Sequence, residues 1–167
     1  MAARSAETLD ESSEAASDAD LLDLAVRSGA KAVNVSLTSG KIVATAGEKE
    51  ELSRKGSIVE METTHVLRAA AERHVPCVAV RAVSDAADED MPVDFARILD
   101  SHGHLKMGGL FKEVALSPYR IPLLLQFARQ SRAAGKSLAD FLDRYISMIS
   151  ANWTKVARPR IEEVSRT

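Results

Sequence analysis

The chain has 167 residues, 46% of them hydrophobic, enough for one domain with a buried core. Its 22 Lys and Arg against 24 Asp and Glu leave a formal net charge of -2, so no global electrostatic reason exists to expect a nucleic-acid partner. A single cysteine, Cys77, excludes an internal disulfide, and no run of about 18 apolar residues offers a membrane span, so a soluble protein of a reducing cytoplasm is expected.

Residues 1–17 are rich in Ala, Ser and Glu with almost no large apolar side chain. Such a composition does not offset the entropy of ordering a backbone, so a disordered tail is expected there. From Asp18 the pattern changes. DADLLDLAVRSGA offers an N-cap aspartate, a cluster of Leu and Val and a closing Gly29, which together predict a short helix. AVNVSL (32–37) and KIVAT (41–45) are β-branched and separated by Thr-Ser-Gly, which predicts strand, turn and strand. AGEKEELSRKG (46–56) predicts a solvated helix carrying little information.

The unit from 57 to 84 carries the clearest signal. SIVEM is short and apolar up to its first acid, ETTHVLRAAAERH has helical spacing, and Val75-Pro76 breaks the helix before the almost wholly apolar CVAVRAV. A strand apolar on both faces suits a parallel sheet covered by helices. Strand, helix and strand therefore predict a βαβ crossover, and the fold class is α/β. VDFARILD and the Gly-bearing SHGHLKMGG then lead to a basic helical third, in which SLADFLDRYISMI carries an apolar stripe with Ser137 as a plausible N-cap. The domain is expected over 18–149, with a tail over 150–167.

In that crossover Glu62 follows the first strand and Asp85 the second, which would bring both to the carboxyl edge of one sheet, where open α/β folds bind ligands. Two acids at such a place can divide the work of breaking a bond between ribose and a purine. One grips the sugar hydroxyls while positive charge develops on the ribose, and the other donates a proton to the departing base. Taken by themselves, the residues leave other roles open. Asp85 could cap a helix or turn, and Glu62 could complement a helix dipole. Asp88, Glu89 and Asp90 read as a solvated charge run. Cys77 reads as core, and His65, His74, His102 and His104 show no ligand spacing, so neither metal nor cofactor is expected.

The stretch VEMETTHVLRAAAERHVPCVAVRAVSDAADED (59–90) resembles the region of the VEME and RAxSD motifs in the purine nucleoside phosphorylase and nucleosidase superfamily, the group that includes methylthioadenosine/S-adenosylhomocysteine nucleosidase. The resemblance implies a three-layer sandwich of the nucleoside phosphorylase type. It also implies Met61 and Glu62 on the ribose, Asp85 as the acid facing the purine with Ser84 beside it, and Glu60 and Arg81 in support. Phosphate would be a co-substrate if the reaction is phosphorolysis, and family members are often oligomers. The segment from Asp94 to Leu142 further resembles the hopanoid-associated branch, implicated in removing adenine from adenosylhopane. The resemblance covers residues 18–147 and matches only the later part of the family's domain. The family's N-terminal strands and its purine-stacking aromatic have no counterpart in it, and AGEKEEL stands where that aromatic would be. The expectation is a truncated gene product or a start assigned too late.

A nucleoside-cleaving enzyme is therefore the first expectation. The second is an inactive remnant serving as a nucleoside-binding or oligomerisation module. A doubly wound regulatory domain is disfavoured, since it would need an acidic phosphoacceptor near the N-terminus followed by its usual strands. Between Tyr119 and Arg160 the positive residues 120, 129, 132, 136, 144, 155, 158 and 160 outnumber Asp140 and Asp143. Such an amphipathic helix either closes over the sheet or lies on an anionic membrane, which would suit a lipid-linked substrate.

Overall fold

The structure is a computed structural model that describes residues 1–9, 13–92, 108 and 118–164, with the backbone alone at 118 and 153–164. Strands β1 (Ala2–Thr8), β2 (Glu14–Ala16), β3 (Ala32–Thr38) and β4 (Ile58–Glu60) form one sheet in the order β2-β1-β3-β4. β1 runs parallel to β3 from Ala2 opposite Ala32 to Thr8 opposite Thr38, and β4 is parallel to β3. β2 returns antiparallel to β1. Helices α1 (Ala19–Arg27), α2 (Ala46–Ser53), α3 (Thr63–Glu72) and α4 (Ile121–Val164) complete a mixed α/β fold, which is the expected class.

The tail expected over 1–17 is corrected, because β1 is an interior strand. Ala2 and Ala6 are fully buried and Ala3 is nearly so. Their methyl groups let other elements approach the strand closely, so small side chains here reflect tight packing and not an inability to fold. Ala2 packs with Leu21, Leu22 and Leu24 of α1 and with Phe141 and Tyr145 of α4, whereas Ala3 packs with Val33 and Ile58. Successive strand residues point to opposite faces, so β1 is covered on both.

α1 forms as its sequence predicts. Asp18 Oδ1 accepts from the backbone N–H of Asp20 and Leu21, and Gly29 follows the helix at φ 104°, where a side chain would be strained. KIVAT is not a strand. It is an irregular link ending at Thr45, which caps α2 in a capping box with Glu48. Hydrogen bonds from Lys41 and Thr45 hold the Glu48 carboxyl down at about 2.

The βαβ crossover is corrected as well. β4 and α3 appear where expected, but residues 77–83 form no regular strand, and their one bridge, Ala2 with Val80, is antiparallel. The bonds Ala3 N–H to Ala79 O and Arg81 N–H to Met1 O lay this segment against β1. The reason lies in β1 itself. It fills the place beside β3 on the side away from β4, so the chain returning from α3 meets the sheet at β1.

VDFARILD and SHGHLKMGG lie outside the described residues, apart from Gly108. α4 runs unbroken from Ile121 through Val164, so Ser137 is interior to it and caps nothing, and no boundary falls at 150. Pro122 sits in the first helical turn, where a missing N–H costs no helical bond. The Phe141 and Tyr145 rings stack with centroids 5.2 Å apart, and Tyr145 Oη donates to Leu21 O at 3.0 Å. Burial, with the neighbouring Asp18 and Cys77, pushes the Tyr145 hydroxyl up to about 12. Among the described residues no helix is long and apolar enough to cross a membrane.

Candidate active site

β4 ends at Glu60, the chain turns through Met61, and Glu62 is the N-cap residue of α3. Glu62 makes no side-chain capping bond. The exposed backbone N–H groups at this helix start are instead taken by Glu60, whose Oε2 accepts from Glu62 N at 2.9 Å and Thr63 N at 2.7 Å. The same oxygen also accepts from Thr63 Oγ1 and from Arg81 Nη2, both at 2.6 Å, while Oε1 accepts from Thr38 Oγ1 at 2.5 Å. Burial is the largest single influence on the Glu60 carboxyl and opposes its charge. The hydrogen bonds from Thr38, Thr63 and the two backbone groups together outweigh it and hold the carboxyl below its ordinary value.

Arg81 links the two motifs. Besides Glu60 it reaches Glu62 Oε2 at 3.2 Å and Thr63 Oγ1 at 2.9 Å. Four residues on, Asp85 Oδ1 accepts from Ser84 Oγ at 2.9 Å, and Oδ2 is 2.6 Å from the Lys49 ammonium. Residues 86–92 form no helix, so Asp85 caps none there. The run after it is not merely solvated. Asp90 Oδ1 accepts from Ala46 N at the start of α2, and the Glu89 carboxylate accepts from Gln126 and Gln130 of α4.

A cavity of about 530 Å³ lies between these two motifs. Glu60 and Met61 line one side, Arg81, Ser84 and Asp85 another, and Lys49 of α2 contributes to the wall. A second cavity of about 680 Å³ also touches Arg81, Ser84 and Asp85 but is lined by Leu138 and Phe141 of α4, without the β4 turn. The first therefore unites five of the six residues expected at the site. Glu62 is the exception. Its side chain is 63% exposed and paired with Arg81, and it does not line this cavity.

The sequence profile of the phosphorylase superfamily matches residues 4–106. The chain belongs to the phosphorylase superfamily. This membership points to nucleoside phosphorylase or nucleosidase chemistry in general. The match begins inside β1, ahead of the expected residue 18, and ends before α4, so the helical third of this phosphorylase-superfamily chain lies beyond it. Comparisons with curated proteins and with solved structures return no match.

Reading the sequence alone misses three residues that touch these side chains: Lys49, Thr38 and Thr63. A signal existed for Thr63, since an acid three residues before a helix start is placed to accept that helix's free N–H groups. None existed for Lys49, which lies in a polar helix 36 residues from its partner. Among the described residues no cluster of His, Cys, Asp and Glu could hold a metal.

Proposed function

We propose that the chain cleaves the N-glycosidic bond of a purine nucleoside, with water or phosphate as the acceptor. The observation that carries this reading is the shared cavity, in which the Glu60–Met61 turn faces Arg81, Ser84 and Asp85. In this reading Met61 and Glu62 hold the ribose. Glu62 swings from Arg81 onto the hydroxyls, a movement its exposure permits. Asp85, steadied by Ser84, donates a proton to the base as the bond breaks. Glu60 is fully engaged by its own donors and serves as the strut that fixes Arg81 and the turn.

The finer reading names adenine as the base and a lipid-linked adenine nucleoside, as in hopanoid side-chain formation, as the substrate, handled in the cytoplasm by a homo-oligomer. It is supported by the first half of α4, where Leu123 and Leu125 are more than half exposed on a helix that also carries Arg129 and Arg132. Liposome co-sedimentation at low salt tests this part. No binding to anionic vesicles removes the membrane contact.

A nucleoside-binding or oligomerisation module without turnover is the second reading, favoured by the one observation that Glu62 stands outside the cavity wall. Release of free base from adenine, guanine and hypoxanthine nucleosides, with and without phosphate, separates the two. Release that Asp85→Asn abolishes supports the enzyme, and phosphate dependence names the acceptor. Binding without release by a folded protein supports the module.

A further inference from the structure

Lys49 belongs to neither motif, yet it meets the loop that carries the acid. Its ammonium donates to Asp85 Oδ2 at 2.6 Å, Glu89 O at 2.7 Å and Ala86 O at 3.1 Å. Three protons on three acceptors exhaust the group. Its side chain is 10% exposed and that of Asp85 24%, and both line the cavity that holds Glu60 and Met61. Burying an ammonium is costly unless it is paired and fully hydrogen-bonded, and a lysine serving solubility alone would stay in water. Lys41, just before α2, does stay in water, with 75% of its side chain exposed beside Glu48.

We infer that Lys49 is a positioning residue for the proposed cleavage, acting through Asp85; the inference rests on that reaction. Two carbonyl contacts fix the loop from 85 to 89, and the third contact turns one carboxyl oxygen toward α2 while Ser84 holds the other. As the bond between C1′ and the base nitrogen breaks, its electron pair passes to the purine. A proton passes from solvent through Asp85 to a base nitrogen, and C1′ gains the oxygen of water or phosphate, with the proton lost by water passing to solvent. Once the proton has left, Asp85 is the carboxylate that Lys49 and Ser84 already hold in place, so neither partner has to move as the charge forms.

The test is base release by the full chain carrying Lys49→Gln, which keeps two N–H donors and removes the charge, and Lys49→Arg, which keeps the charge. Folding is checked by thermal melting. Expected for Lys49→Gln is a kcat lowered about 10- to 100-fold with KM within about threefold. Lys49→Arg should recover most of kcat. A loss of kcat that Lys49→Arg does not recover, a KM that rises in step with the loss, or a Lys49→Gln indistinguishable from the unsubstituted chain overturns the inference alone. If Lys49→Gln does not fold, a lost rate in a folded Lys49→Arg overturns it, and an unchanged rate supports it. No release by the unsubstituted chain overturns the reaction and this inference together.

Discussion

Arg81 and Glu60, 21 residues apart in the chain, meet at 2.6 Å between Nη2 and Oε2. The Glu60 side chain is 8% exposed and that of Arg81 37%, so the pair is buried on the acid side and open on the other. Glu60 is the hub. It receives two hydroxyls, two backbone N–H groups and the guanidinium, and thereby joins β3, the start of α3 and the segment before Asp85. Glu60→Gln replaces an acceptor-only group by one whose amide protons face existing donors. Its expected cost is about 2 kcal/mol, discounted from the loss for a fully buried pair because Arg81 can turn to solvent. Urea denaturation measures it, and an unchanged midpoint would show that the hub contributes nothing.

The same network gives stability a pH dependence of known sign. The folded Glu60 carboxyl lies below its ordinary value of 4.5, so the unfolded chain takes up its proton first. The contribution is present above that ordinary value and is lost as pH falls through the lowered folded value. In Glu60→Gln the decline of stability with acid should therefore be shallower than in the unsubstituted chain. Melting temperatures between about pH 6 and pH 3 provide the comparison.

How far the sequence speaks for itself differs between elements for physical reasons. α1 is legible because its stops are local: Asp18 caps it and Gly29 ends it within a dozen residues. β4 and α3 are legible because an apolar run passes into helical spacing. β1 is not, because the signal sought was large apolar side chains, and this strand buries alanines between covered faces. Once β1 is missed, residues 77–83 have no partner but β4, and a parallel crossover follows. Met61, Ser84 and Asp85 do meet at one cavity, but antiparallel contact with β1 brings them there. Lys49 was illegible because its meaning lies in a contact made by the folded chain, not in its helix.

Two glycines should respond to alanine in opposite directions. A Cβ on Gly56 would stand 2.6 Å from Leu37 Cγ and 3.0 Å from its nearer Cδ, and Leu37 is 1% exposed, so it has nowhere to move. Gly56→Ala should cost about 1–3 kcal/mol by overpacking. Gly47 lies in the first turn of α2 with nothing within 4 Å of the added atom, and Gly47→Ala should stabilise by about 0.5 kcal/mol through backbone entropy. Denaturation midpoints on either side of the unsubstituted value are the expected result. Equal shifts would mean that Leu37 does not press on Gly56.

β1 makes the strongest claim against composition, and it is tested at one atom pair. Ala2 is fully buried among Leu21, Leu24, Phe141 and Tyr145, and its N–H donates to Lys31 O at 2.9 Å. A carboxylate placed there enters the apolar side chains of that cluster, so it must ionise at great cost or stay protonated. Ala2→Glu should therefore cost several kcal/mol at neutral pH and regain part of that in acid, opposite in sign to the Glu60 effect. Ala2→Ser, smaller and uncharged, should cost far less. If residues 1–9 were a tail, both substitutions would leave the melting temperature where it was at every pH, and removing the segment would do the same. With β1 between β2 and β3, its removal should abolish the cooperative unfolding transition in circular dichroism, because β3 loses its longest partner and α1 loses part of the surface on which it packs.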